Sequence, residues 1–595
     1  MLLFFRFCLL LLSLTGYVFF ITQKYRIQVA FVPALVCAWS SSLLFAAGLI
    51  NCLPVAVFVL FAGGFVLLAL SIRHKYFFTK QDTLKYAGFL AAIIYFFILM
   101  QGCHFTSYDN FSHWATVVKD MLAVNRMPNF EDSIIRFQSY PLGSSLFIYY
   151  ICKIIGTSDA CFLFGQLLML ISFLFCMAAF VTKKNIYSIV IVLLYSIWAL
   201  TANNHIYELR VDTLLPLAGV AAFAFIYYYK CEPQKAIFGS TGTFLLLIQI
   251  KNSGIFFYAV CVICLAVFVW NYCKKNLAYF FTASLFVPLA SLYLWKRHVA
   301  FAFSAGMEAK HSMNLSHFKQ EAAKKSADDM LEIGIKILKQ FTSLKKQGTT
   351  PGAGIVRNQG LILLVLLAMF LIAMCVICLV FLRSRKVFYA IVRIIVLDAS
   401  CLALYTLSVY AMYLFSMPPS EASRLASFDR YMFTIYIFIY GITIIFTLSG
   451  ISILHNVNKQ AAYMAGIVTS LLFVLPVNFC NQLPTLIQRP EFADSKRCQL
   501  QQLLSQEKIQ NGDSCFIYSN TSDTDARYLF YLTRYELWSP NILSVSSMDF
   551  CQKKKKIKKY DYFIIWDSDA QTDQYLIEHQ LTQYVGKSRI CIPTT

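Results

Sequence analysis

Ionisable residues stand out in a chain that is otherwise apolar. Asp109 opens "SYDNFSHWATVVKDMLAVNRMPNF" (107–130), just after an apolar run ending at Cys103. "NNHIYELRVD" (203–212) holds His205, Glu208, Arg210 and Asp212. Lys251 interrupts two apolar runs in "LIQIKNSGIFF", and "EASRLASFDRYMF" (421–433) brings Arg424, Asp429 and Arg430 before another such run. Carboxylates are suited to act as general base toward a hydroxyl. Lysine and arginine are suited to neutralise a phosphate, arginine through planar paired contacts. Together these types suit transfer of a group from an anionic lipid. Each also has a plainer reading: Asp109 as a solvated loop acid or helix cap, Lys251 or Arg430 snorkelling to headgroups, His113 as a packing residue beside Trp114. Ionisable groups at membrane depth are costly, so a cluster of them on one side favours function.

The surrounding elements are membrane helices. Of 595 residues 58% are hydrophobic and 14% charged, against about a quarter charged in soluble proteins. Apolar runs long enough to cross about 30 Å of hydrocarbon recur throughout. The run from Met1 lacks a small-residue cleavage site and reads as a retained helix. Net charge of +21 has a topological meaning here, because short loops rich in Lys and Arg stay cytoplasmic. Such loops lie at Lys24/Arg26, Arg73 to Lys85, Lys183/Lys184, Lys230/Lys235, Lys274/Lys275 and Arg383/Arg385/Lys386. They alternate consistently with spans at 1–21, 28–50, 54–72, 87–103, 160–182, 185–201, 213–229, 236–250, 255–272, 277–295, 360–382, 388–416, 431–449 and 461–479. That makes an α-helical polytopic membrane protein of about 14 transmembrane helices. "YPLGSSLFIYYICKII" (140–155) is short and contains Lys153, so the expectation is an interfacial helix on the outer face. All the polar stations are then extracytoplasmic, as is a loop at 296–358.

The tail, 481–595, reads as a separate extracytoplasmic α/β domain. The expected elements are a helix at 491–508, strand "SCFIYS", a helix around "DARYLFYLTRY", strand "YDYFIIWD", a helix near 572–580 and strand "SRICI". "KKKKIKK" (553–559) is a solvated basic loop or a contact for anionic lipid or glycan. Disulfides are chemically open to Cys480, Cys498, Cys515, Cys551 and Cys591, whereas the CxxC pairs 261/264 and 375/378 lie inside spans and read as packing. No Gly-rich phosphate loop, HExxH or nucleotide-binding fingerprint occurs, which suits a lipid-linked donor, and nothing indicates nucleic acid.

The order "DNFSHW…NRMPN…SYPLGSSLF", "LRVDTLLPLAG", "LIQIKNSGIFF", "DRYMFTIYIF" resembles GT-C glycosyltransferases such as protein O-mannosyltransferases and lipid A aminoarabinose transferases. The resemblance spans about 87–480, leaving 1–86 as extra N-terminal helices. It implies a GT-C-like fold and an inverting transfer of a hexosyl or pentosyl sugar from a polyprenyl-phosphate donor to an extracytoplasmic glycopolymer, glycolipid or protein. Asp109 would be the catalytic acid. Lys251, Arg430 and Arg210 would hold the donor phosphate. Asp212 and Glu208 would lie near acceptor or metal, with His113 and His205 close by. The family's frequent Asp-Glu pair reads Asp109-Asn110 here, so a divalent metal ion stays open and no cofactor is fixed. A transporter, flippase or polymerase of lipid-linked glycans is the alternative. A transporter would need a charged path across the bilayer, and the polar stations gather at one face.

This topology makes a direct prediction. Single cysteines placed at residue 251 and in the tail, in a cysteine-depleted background, should label from outside intact cells. Labelling of either only after permeabilisation would overturn the arrangement.

Overall fold

The computed structural model describes residues 1–76, 78–181, 186–201, 206–272, 274–303, 315–342, 359–377, 379–380, 385–480, 483–546 and 557–594. Among them ten helices are long and apolar enough to cross a membrane: Leu2–Tyr25, Val29–Leu49, Leu53–Arg73, Lys80–Met100, Asp159–Phe180, Gly254–Asn271, Leu277–Ala302, Gly360–Ile377, Phe388–Phe415 and Phe428–Val457. The other four expected spans are helical too, at Ile186–Thr201, Leu214–Tyr228, Pro233–Ile250 and Lys459–Cys480. This is a multi-pass membrane protein.

Two expectations are corrected. Residues 140–155 form a helix, Gly143–Ile155, but it does not rest on a surface. Leu146, Phe147, Tyr149, Tyr150 and Ile151 are all buried, enclosed by helices Leu2–Tyr25, Val32–Leu49, Ala115–Val124 and Asp159–Phe175. Only Lys153 and Ile154, near its C-terminal end, escape burial, so the helix lies inside protein. Its 13 residues reach about 20 Å, short of a crossing. The loop expected from 296 also begins later, since Lys296 and Arg297 continue helix Val287–Ala302.

The polar stations are held by short, specific contacts. Helix Pro233–Ile250 ends at Lys251, whose backbone is extended (φ −159°, ψ 151°). The next helix starts at Gly254, folded so tightly under the last turn that a Cβ there would lie 1.8 Å from the Leu247 carbonyl oxygen. Only glycine fits this return, and it leaves Lys251 at the break. On the other side, Lys325 donates to the carbonyls of Leu414 (2.9 Å) and Met417 (2.6 Å), closing the end of the helix Arg385–Phe415. Lys336 donates to Ser423 O (2.7 Å) and Tyr413 to Ala426 O (2.7 Å). These bonds fix the turn that leads into Arg430.

The tail carries a four-stranded sheet of β1 (Cys515–Ser519), β2 (Ile542–Val545), β3 (Tyr562–Asp567) and β4 (Ile590–Pro593), in the order β2-β1-β3-β4. The first three are parallel and β4 is antiparallel. Its expected elements are present, and β2 is an addition. Alternation along the strands separates two faces. Phe516, Tyr518, Phe563, Ile565 and Ile592 cover Tyr575 and Leu576 of helix Ala570–Glu578. Cys515, Ile517, Ile564 and Cys591 instead join the core of the helical bundle. The tail therefore shares packing with the layer beneath it. Buried Arg497 pairs with Asp159 and with Glu536 (2.6 Å), Lys119 donates to Tyr535 O (2.6 Å), and Tyr528 donates to Thr106 O (2.7 Å). Cys498, Cys515 and Cys591 are free thiols. Residues 553–556 of the basic run and the side chains of Cys480 and Cys551 lie outside what is described.

The segment bearing Glu208, Arg210 and Asp212 has no helix of its own and is clamped by side chains. Asn110 Oδ1, fully buried, accepts from Leu209 N (2.9 Å). Gln166 Nε2 donates to the carbonyls of Glu208 (2.9 Å) and Arg210 (3.0 Å). Tyr207 donates to Thr485 O (2.6 Å). Asn110→Ala should therefore strand a buried N–H and cost about 1–3 kcal/mol, read as a lower melting temperature in detergent. Retention of wild-type stability would show that the clamp is dispensable.

Candidate functional site

Asp109 precedes a π-helical turn, Asn110–Trp114, which leads into Ala115–Val124. Trp114, Val117, Val118 and Met121 along these turns are buried in protein. Single π-turns often accompany functional sites because they rotate one side chain out of the regular helical register. Here the turn buries Asn110 and His113 and leaves Asp109 about a quarter exposed.

Six of the sequence-selected residues meet as one chain of alternating charge. Lys251 Nζ lies 2.8 Å from Asp212 Oδ1, and Asp212 Oδ2 lies 3.4 Å from Arg430 Nε. Arg430 Nη1 donates to Asp109 Oδ2 at 2.6 Å, and Arg210 Nε approaches that same oxygen at 3.8 Å. Arg210 ends the series in an ion pair with Glu208. The Tyr431 ring lies beside both Lys251 (5.4 Å) and Arg430 (5.3 Å), adding cation–π attraction on an apolar surface. Burial pushes Glu208 above the usual carboxylate range, reinforced by Asp109 and opposed by Arg210. Both ion contacts of Asp109 fall on Oδ2.

Asp109, Asp212, Lys251 and Arg430 line a cavity of about 450 Å³. Apolar side chains line it as well: Ile255 and Phe256 from one membrane helix, Val409 and Met412 from another, together with the ring of Tyr405. Arg527, reaching in from the tail, and Glu421 also line it, 4.0 Å apart. Such a space fits a molecule with a charged end and an apolar body. Glu208 and Arg210 do not line the cavity; they back Asp109 from behind.

The remaining candidates separate. His113 is buried, with neither ring nitrogen hydrogen-bonded. It meets Trp114 (4.6 Å), Tyr140 (5.0 Å) and Phe137 (5.7 Å) edge-on, and burial pushes its pKa down to about 3. It is a neutral wall residue with no charge to offer a phosphate. His205 lies outside the described residues. Among the described residues no three His, Cys, Asp or Glu side chains are grouped to hold a metal ion; Asp109, Asp212 and Glu208 each face a cation instead.

Sequence reasoning missed the supports. Gln166 is a lone amide in "CFLFGQLLML", a polar group at membrane depth that could have been singled out on that ground. Asn110 gave the opposite signal, since it registered only as a missing acid. Asp398, buried inside helix Phe388–Phe415 and bonded by Thr443 (2.6 Å), is a further carboxylate apart from the cavity lining.

No family model and no curated protein matches this chain. Among solved structures it is similar to the crystal structure of ArnT from Cupriavidus metallidurans bound to undecaprenyl phosphate, with a TM-score of 0.38 and 10% identity over 83% of this chain and 94% of that one.

Proposed function

We propose that this protein is an integral-membrane glycosyltransferase. It takes a sugar from a polyprenyl-phosphate donor and passes it to a hydroxyl of a glycopolymer, glycolipid or protein on the extracytoplasmic side. The observation that carries this reading is a single cavity lined both by carboxylates and cations and by apolar residues of membrane helices. A polyprenyl chain belongs against Ile255, Phe256, Val409 and Met412, with its phosphate toward Lys251 and Arg430. Lys251 spends one of its three N–H groups on Asp212 and keeps the others for an incoming oxyanion.

Transfer is a direct displacement. Asp109 takes the proton of the acceptor hydroxyl, and that oxygen bonds to the anomeric carbon. The bond from that carbon to the phosphate oxygen breaks, and its electron pair leaves with polyprenyl phosphate, whose charge Lys251 and Arg430 balance. Attack opposite the leaving group inverts the anomeric centre. Arg430, anchored on Oδ2, holds the carboxylate in a fixed orientation, and Arg210 with Glu208 supports it from behind. A transporter of lipid-linked glycans would use the same lipid, but the linked charges gather at one end of the helices rather than along a path through them.

The test is release of polyprenyl phosphate by purified protein given candidate polyprenyl-phosphate sugars. Asp109→Asn keeps the size and most of the hydrogen bonding but cannot take a proton. It should leave insertion and donor binding near normal and cut transfer about 10²-fold or more. Lys251→Ala should instead weaken donor binding by about 10- to 150-fold, the scale of a lost charge-assisted contact. Near-wild-type transfer by correctly inserted Asp109→Asn protein would end the catalytic assignment.

A further inference from the structure

Three carboxylates and three cations line the cavity, and four of these six groups are bound closely to one another. Lys251 holds Asp212 at 2.8 Å, and Arg430 holds Asp109 at 2.6 Å. Glu421 and Arg527 are different. Glu421 Oε1 and Arg527 Nη1 are 4.0 Å apart, too far for a hydrogen bond. Among the described residues neither side chain has any other polar partner. Arg527 thus keeps its N–H donors, and Glu421 its carboxylate lone pairs, unclaimed at the cavity.

Both groups stand on anchored elements. Arg527 is on helix Asp523–Leu537 of the tail, which Ser522 caps and Lys496 ties down at Asp525. Tyr528 of that helix donates to Thr106 O (2.7 Å). Tyr531, one turn after Arg527 and so on the same helix face, packs edge-on against Tyr108 (5.3 Å). Tyr108 and Asp109 both line the cavity. Glu421 lies in the short helix Pro419–Ala422, where its N–H donates to Pro418 O (3.0 Å) and its carbonyl accepts from Ala426 N (3.0 Å). Lys336 and Tyr413 hold the rest of that turn. Carboxylate and guanidinium therefore meet one cavity at a set separation, and the carboxylate of Asp109 shares that cavity.

A fixed acceptor set beside a fixed donor set is matched by groups that can donate and accept at once, and hydroxyls do both. An added anion fits poorly, because Glu421 repels it and the pair as a whole is neutral. Ser416 and Ser427, on either side of Glu421 in the chain, add two hydroxyls to the lining. Such a set engages several hydroxyls together, which a glycan offers and a single serine does not. We infer that Glu421 and Arg527 form the acceptor subsite and that it takes a neutral sugar, one hydroxyl donating to Glu421 and a neighbouring one accepting from Arg527. The saccharide site rests on geometry alone; its role in holding the acceptor rests on the glycosyl-transfer reading.

The test reads binding apart from transfer. Full-length protein in detergent is mixed with short neutral gluco-, manno- and galacto-oligosaccharides, and binding is followed by saturation-transfer NMR. At least one should bind. Arg527→Gln and Glu421→Gln should each weaken that binding about 10-fold or more, the scale of one lost charge-assisted contact, and leave affinity for polyprenyl phosphate at the wild-type level. The Arg527 side chain is 56% exposed, so its replacement does not disturb a core. No binding across the panel, or unchanged saccharide affinity in either variant, would overturn the site. Uronic-acid oligosaccharides run in parallel should bind more weakly than neutral ones. If they bind more tightly and Arg527→Gln abolishes this, the occupant is an anion and the neutral class is overturned. In transfer assays both variants should raise the KM for the saccharide and not for the donor; a change in donor KM alone would overturn the acceptor role. Saccharide binding that both variants lose, in protein that releases no polyprenyl phosphate from any donor, would leave the site standing and overturn the transfer reading.

Discussion

Charges at the edge of an apolar bundle persist only if each meets its opposite, and that constraint organises this protein. The series Lys251–Asp212–Arg430–Asp109–Arg210–Glu208 alternates in sign at every step. Removing one partner of such a buried pair costs more than the pair contributes, because it strands the other charge. The series draws residues from four separate stretches of chain and ties them into one unit. It also has a direction. Its cationic end, Lys251, is at the cavity, and its anionic end, Glu208, is behind it.

The scaffold around this series is built to hold backbone rather than to add charge. Asn110, Gln166 and Tyr207 grip the irregular segment 206–213, and Gly254 allows the sharp return that presents Lys251. Lys325 and Lys336 bond to carbonyls near the turn before Arg430. Irregular backbone next to a membrane needs such partners, because a free carbonyl or N–H there has no water to satisfy it. Tail and bundle are joined by the same logic. Arg497 draws Asp159, at the start of one membrane helix, together with Glu536 on the tail helix. Tail residues are thus fixed relative to the cavity, and Arg527 belongs to its lining.

Much of this was legible in the sequence, for identifiable reasons. All fourteen expected spans are helical because long apolar runs have one solution in a bilayer. The candidate acids and bases were visible as exceptions to that apolarity. The short continuous apolar runs "CFIYS" and "YFIIWD" marked strands buried on both faces. What the sequence did not disclose was pairing. Nothing in the spacing distinguishes Arg210, held behind Asp109 by Glu208, from Arg430, which faces the cavity. Helix Gly143–Ile155 was misplaced because a short apolar helix in a membrane protein can face lipid or protein alike, and only tertiary packing decides. β2 was missed because "ILSV" is too short to carry a pattern.

Asn110 shows why a local departure from a familiar motif can be a consequence of the rest of the site. An acid in its place would be fully buried, facing the single N–H of Leu209. The nearby cations are already engaged, Arg430 by Asp109 and Asp212, and Arg210 by Glu208 and Asp109. A second carboxylate beside Asp109 would then carry charge without a counter-charge, and burial would drive it to the neutral acid. Asparagine supplies the same accepting oxygen in the same volume and adds no charge. It leaves Asp109 as the one carboxylate that this turn presents to the cavity.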